Sequence, residues 1–172
     1  MDVEQTVLET ERLVLERFTL QHGTFILELV NSPGWLQYIG DKGIRELEAA
    51  EQYIREGPMT AYAQYGYGFS VVSLKEDRTP IGGCGLIRRA GLEYPDIGFA
   101  LLPEYSGKGY AFEIASATLA HAKTELLIPR ILGITLPTNT RSIHLLNRIG
   151  LNFARMIRLP GDEAELMLFQ TP

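Results

Sequence analysis

The hydrophobic and polar positions of the 172-residue chain alternate between strand-like and helix-like periods. In Arg12–Phe18, Leu13, Leu15 and Arg17 alternate with Val14, Glu16 and Phe18, the period of a strand. From His22 to Asn31 the apolar Phe25, Ile26, Leu29 and Val30 recur at helical spacing, and NSPGW (31–35) stops that helix. Arg45 to Arg55 predicts a second helix with Leu47, Ala50 and Ile54 on one face, ended by EGP (56–58). GYGFSVVSL (66–74) and PIGGCGLIRR (80–89) then form a predicted hairpin around the polar KEDRT. AGLE turns the chain into a third strand, YPDIGFALL (94–102). After it, Ala115, Leu119, Ala122 and Leu126 step by four, three and four, which is helical. RILGITL (130–136) is a short β-like run. A helix from about Asn139 buries Ile143, Leu146 and Ile149, with Gly150 placed to terminate it. NFARMIRL and AELMLFQ close the chain as two strands joined by PGDE.

The strand–helix–strand unit from Tyr94 to Leu136 predicts a right-handed crossover between parallel strands. The other pairings are expected to be antiparallel, so the fold class is a mixed α+β sheet. There is no internal repeat and no low-complexity linker, so residues 1–172 read as one domain.

Composition narrows the function classes. A hydrophobic share of 45% and a charged share of 22% are those of an ordinary globular protein. The net charge of −5 argues against a surface that grips nucleic acid. Cys84 is the lone cysteine, so no intrachain disulfide forms, and a reducing compartment is the simpler reading. MDVEQTVLET lacks the basic and apolar blocks of a leader, and no apolar run is long enough to span a membrane. A cytoplasmic location without membrane partners is expected. His22, His121 and His144 are scattered without metal-ligand spacing, so no metal site is expected.

The chemistry gathers around LPEYSGKGYAFEIA (102–115), where Gly107 and Gly109 stand immediately before a helical pattern. A glycine-rich turn that opens a helix directs backbone N–H groups and the positive end of the helix dipole at one point, which suits phosphate. A P-loop would need glycine at Leu102 and Ser or Thr at Gly109. A dinucleotide fingerprint would need glycine at Phe112 and an acidic residue after the next strand, where the chain reads ITLPT. The third reading fits.

SGKGYA (Ser106–Ala111) resembles the Q/R-x-x-G-x-G/A loop of the GNAT superfamily of N-acetyltransferases. LETERLVLERF, PIGGCGLI, DIGFALLPEYSGKGYAFE and NTRSIHLLNRIGL are similar, in order and spacing, to segments of its RimJ/RimL-like branch. The resemblance covers nearly the whole chain. It implies about seven strands, one central parallel pair and about four helices. It also implies acetyl-coenzyme A as co-substrate, with Ser106, Gly107, Lys108, Gly109, Tyr110 and Ala111 holding the pyrophosphate. In the family the preceding strand bulges and splays from its parallel neighbour, and the pantetheine arm pairs with its backbone, here at Ala100, Leu101 and Leu102. Asn139 and Ser142 are implied to face coenzyme A, although an N-cap role accounts for Asn139 as well.

Two departures accompany the resemblance. The Gln or Arg usual at position 106 is serine, and the tyrosine that protonates the leaving thiolate is Leu146. Ser142 is the expected substitute acid, with water as the alternative. Asp96, matching the family's glutamate in the E-I-G segment, is the expected base, with Glu93 close by. Trp35, Tyr38, Tyr62, Tyr65 and Tyr67 fall where the family builds its acceptor pocket, though each also suits an aromatic core. The expected activity is acetyl transfer to a primary amine, on a small molecule or a protein N-terminus, by a monomer or homodimer. A catalytically silent acyl-CoA sensor is the second reading, kept open by Leu146.

Overall fold

A computed structural model describes residues 5–172 of the chain; residues 1–4 of the stretch read for a leader lie outside it. The strands are β1 (Thr6–Glu9), β2 (Leu13–Arg17), β3 (Phe69–Leu74), β4 (Pro80–Ile87), β5 (Asp96–Leu101), β6 (Leu132–Thr135), β7 (Asn152–Ile157) and β8 (Leu166–Gln170). The helices are α1 (Gly23–Val30), α2 (Pro33–Tyr38), α3 (Leu47–Ile54), α4 (Thr60–Tyr65), α5 (Tyr110–Thr124) and α6 (Thr140–Arg148). One sheet runs in the order β1-β2-β3-β4-β5-β6-β8-β7. Its parallel pair is β5–β6, bridged by α5, and every other pairing is antiparallel.

The mixed sheet with one central parallel pair is as expected, and the structure adds detail that periodicity missed. The opening segment is two strands, because Thr10 turns the chain tightly and its N–H donates to the Leu13 carbonyl at 2.9 Å. Pro33 does not simply stop α1. It occupies the first turn of α2, where its missing N–H costs nothing. EGP does not end α3 either: Arg55–Met59 form a π-turn that runs on into α4, which Gly66 terminates in the left-handed conformation. Gly150 ends α6 as expected, with φ +101°, a Gly150 N–H bond to Asn147 and a Leu151 N–H bond to Leu146, both closing the helix end.

Apolar side chains leave both faces of the sheet. Leu13, Leu15, Val72, Ile97 and Phe169 meet Ile114 and Ala115 of α5 and Leu146 of α6 on one face. Phe18 and Val71 meet Ile26 and Leu29 of α1 and Ile54 of α3 on the other. Helices on both faces explain why Leu13, Val14 and Leu15 are all buried despite the alternation of their side chains.

Glycines set how closely the central strands approach. A Cβ at Gly82 of β4 would collide with the Ala100 carbonyl oxygen and lie 2.7 Å from Leu101 Cδ2. Gly82→Ala is therefore expected to lower the melting temperature by roughly 3–10 °C, the result of overpacking a chain of this size. Thermal denaturation followed by circular dichroism checks this; an unchanged midpoint would show that β5 yields freely.

Candidate active site

β5 and β6 share a single register pair, Asp96 with Leu132, and then part. Beyond it β6 pairs with β8 while β5 stays on β4. The Leu102 N–H donates to the Ile81 carbonyl at 2.8 Å, so the alternation along the strand turns the N–H and C=O groups of Phe99 and Leu101 toward the gap. Exposed backbone of this kind is ready to pair with an extended ligand. The β4–β5 register is continuous from Gly82–Leu101 to Ile87–Asp96, so the bulge implied for this strand is absent. The splay comes from β6 turning away.

Beyond β5 a short 3-10 turn, Pro103–Tyr105, leads to Gly107 (φ +77°) and Gly109 (φ +84°), both in the left-handed region that favours glycine. Gly109 is the N-cap of the 15-residue α5. A Cβ at Gly107 would meet nothing within 4 Å, so the turn offers open space there. Asn139 caps α6 through its Oδ1, which accepts from the Ser142 N–H at 3.2 Å.

These pieces line two clefts. One, of about 620 Å³, runs from Ser106, Gly107, Gly109, Tyr110 and Ala111 to α6. Its charged side chains are Arg141 and Arg148, with His144 beside them and no carboxylate among the described residues, a setting that favours an anion. The other, of about 640 Å³, is walled by Trp35, Tyr38, Tyr53, Tyr65, Arg89 and Asp96. Phe99, Ala100, Leu101, Asn139 and Ser142 line both. The two clefts meet where the strands part.

Asp96 is 1% exposed, and Arg89 Nε donates to its Oδ1 at 2.8 Å. Burial pushes its carboxyl above the ordinary value, while the Arg89 charge pulls the other way. Leu146, one turn beyond Ser142, is 1% exposed and packs toward Gly133 and Leu151. It faces the core and lines neither cleft.

Not every expected residue reaches the clefts. Leu102 is buried with the α1–α3 core, and its amide is committed to Ile81. Lys108 lines neither cleft, and its carbonyl accepts from Arg12 at 3.1 Å. Tyr62 donates to the Phe69 carbonyl and accepts from the Phe18 N–H, a core role, and Tyr67 lines a separate hollow near α5. Arg89, Tyr53, Arg141, His144 and Arg148 join the site unannounced. Only His144 and Arg148, on the helix after Asn139, carried a signal, being one turn apart on one face of α6.

The profile of the acetyltransferase (GNAT) domain family matches residues 12–152. The chain belongs to the GNAT acetyltransferase family. It is 25% identical over 144 residues to the uncharacterised N-acetyltransferase YnaD of Bacillus subtilis (strain 168), covering 84% of this chain and 81% of YnaD. The fold matches an acetyltransferase from Agrobacterium tumefaciens C58 with TM-score 0.79 at 22% identity, over 97% of this chain and 94% of that one. It also matches RimL, a ribosomal L7/L12 α-N-protein acetyltransferase solved with coenzyme A, with TM-score 0.81 at 15% identity and 96% coverage of both chains. The GNAT family uses acetyl-CoA, and the RimL structure holds coenzyme A. The open space at Gly107, the unpaired β5 backbone and the cationic α6 wall all suit it.

Cys84 lies apart from these clefts, buried in β4 with its Sγ 3.5 Å from Thr118 Oγ1. Burial pushes its thiol up to about 12, so it is no nucleophile at neutral pH. The folded protein at pH 8 is expected to leave Ellman's reagent unreduced, and the unfolded chain to release one equivalent. Rapid reaction of the folded form would show that β4 opens.

Proposed function

We propose that this protein is an acetyl-CoA-dependent N-acetyltransferase of the RimJ/RimL-like branch, acting on a primary amine. The observation that carries the reading is the pair of clefts joined at Phe99, Ala100, Leu101, Asn139 and Ser142. A donor lying in one and an acceptor in the other meet at that junction, so much of the catalysis is proximity in a ternary complex. The likeness to RimL supports an acceptor on a protein N-terminus; the aromatic cleft equally admits a small-molecule amine.

The roles follow from position. The Gly107–Gly109 turn and the start of α5 hold the pyrophosphate, and the β5 backbone orients the pantetheine arm. The amine nitrogen attacks the thioester carbonyl, whose oxygen a β5 N–H polarises. The C–S bond breaks and the departing sulfur takes a proton from the Ser142 hydroxyl, which regains one from solvent. Asp96, on the wall of the acceptor cleft but only 1% exposed, accepts the proton of the amine through water. A silent acyl-CoA sensor would bind the same donor without this step; acceptor-stimulated release of free coenzyme A separates the two.

A free-thiol assay with acetyl-CoA across a panel of amines and peptide N-termini is expected to find an acceptor that stimulates release. With that acceptor, Asp96→Asn should lower kcat by about 10²–10⁴-fold while acetyl-CoA binding persists. Since burial raises the Asp96 carboxyl, wild-type kcat should fall as pH drops through a point above the ordinary carboxylate range, and the variant should lack that limb. Full turnover by Asp96→Asn from pH 6 to 9 would remove Asp96 as base and turn attention to Glu93.

A further inference from the structure

The turn that carries Gly107 and Gly109 is fastened to the bend between β1 and β2 by a cluster centred on Glu113, in the first turn of α5. Glu113 Oε2 accepts from Thr10 Oγ1 at 2.6 Å and from the Arg12 N–H at 3.0 Å, and its Oε1 accepts from Arg12 Nε at 2.7 Å. Arg12 then reaches onward. Its Nη1 donates to the Lys108 carbonyl at 3.1 Å, its guanidinium lies 4.4 Å above the Tyr110 ring, and its Nη2 would be 3.3 Å from a Cβ on Gly109. One side chain therefore touches Lys108, Tyr110 and Glu113 and fills the space beside Gly109, about a hundred residues away in sequence.

Resting on the acetyltransferase reading, we infer that Arg12, held by Thr10 and Glu113, is a positioning residue for coenzyme A, fixing the turn and cancelling the acid beside the phosphate site. Two physical effects combine. The turn places two left-handed glycines around Lys108, so its amides point one way only while the Lys108 carbonyl is held. A carboxylate in the first turn of α5 would also repel a pyrophosphate at that helix start unless paired. Burial opposes ionisation of Glu113, yet the bonds from Thr10 and Arg12 outweigh it and hold its carboxyl below the ordinary value. Glu113 is thus charged, and the Arg12 guanidinium supplies the cancelling charge.

The ion pair is partly exposed, 43% at Arg12 and 19% at Glu113, and such pairs add little to global stability. The role is therefore separable from folding. Calorimetric titration of coenzyme A into the wild type, Arg12→Met, Arg12→Lys and Glu113→Gln, with the melting temperature of each free protein, tests it. Arg12→Met is expected to bind about ten- to a hundredfold more weakly, the scale of one charge-assisted hydrogen bond, with its free melting temperature nearly unchanged. Arg12→Lys, which keeps the charge and loses the fork, should recover part of the loss. Should an acceptor be in hand, the loss should fall on KM for acetyl-CoA and leave kcat at saturation. Arg12→Met binding as tightly as the wild type would overturn the inference alone. So would affinity and melting temperature falling together with no recovery in Arg12→Lys. A wild type that takes up no coenzyme A would overturn the acetyltransferase reading first, and this inference with it.

Discussion

Parallel strands that pair at one point and then separate leave backbone groups that no internal partner satisfies. In this protein β5 and β6 pair at Asp96 and Leu132 and then part, and the groups of Phe99 and Leu101 face the opening. Buried N–H and C=O groups are costly when unpaired, so such a gap persists where solvent or a ligand's amides take the partner's place. The rest of the fold keeps the gap open. β8 holds β6 on its far side through four register pairs, and β4 holds β5 through six.

The close approach of β4 to β5 depends on small residues. Gly82 leaves room for the Ala100 carbonyl of β5, while Gly83 and Gly85 leave room on the β3 side for the Phe69 ring and the Gly68 carbonyl. Without the room at Gly82, β5 would be pushed toward β6 and the gap would narrow. On the other side of the gap, Leu146 packs over Gly133 and fixes where α6 starts, which in turn fixes Asn139 and Ser142. The leucine that removes a family hydroxyl thus also anchors the helix that presents the serine.

The charges follow the same division of space. Arg141 and Arg148 line the cleft at the helix start, while Asp96 lies at the closed end of the gap beside Arg89. An anion and a buried carboxylate would repel each other in one undivided pocket. Two acids have their own arginine, Glu113 at the first turn of α5 with Arg12 and Asp96 with Arg89, so neither presents an uncompensated charge to a phosphate.

Local signals in the chain were enough for most elements: alternation found β2 to β5, four-three stepping found α5, and Gly150 marked the end of α6. The Gly107–Gly109 turn and the Asn139 cap were legible because backbone conformation and capping are encoded within a few residues. Tertiary packing decided the rest. Pro33 and Pro58 resemble breaks locally, yet the first opens α2 and the second is buried inside a π-turn. Leu102 reads like its strand neighbours, and only the pairing with Ile81 shows that its amide is taken. Arg12, Arg89 and Tyr53 gave no signal, because ion pairs and cleft walls join residues far apart in the chain, and a one-dimensional pattern carries no record of which distant side chains meet. The sequence by itself determined the elements and the glycine turn; the folded sheet alone determined which charges stand beside them.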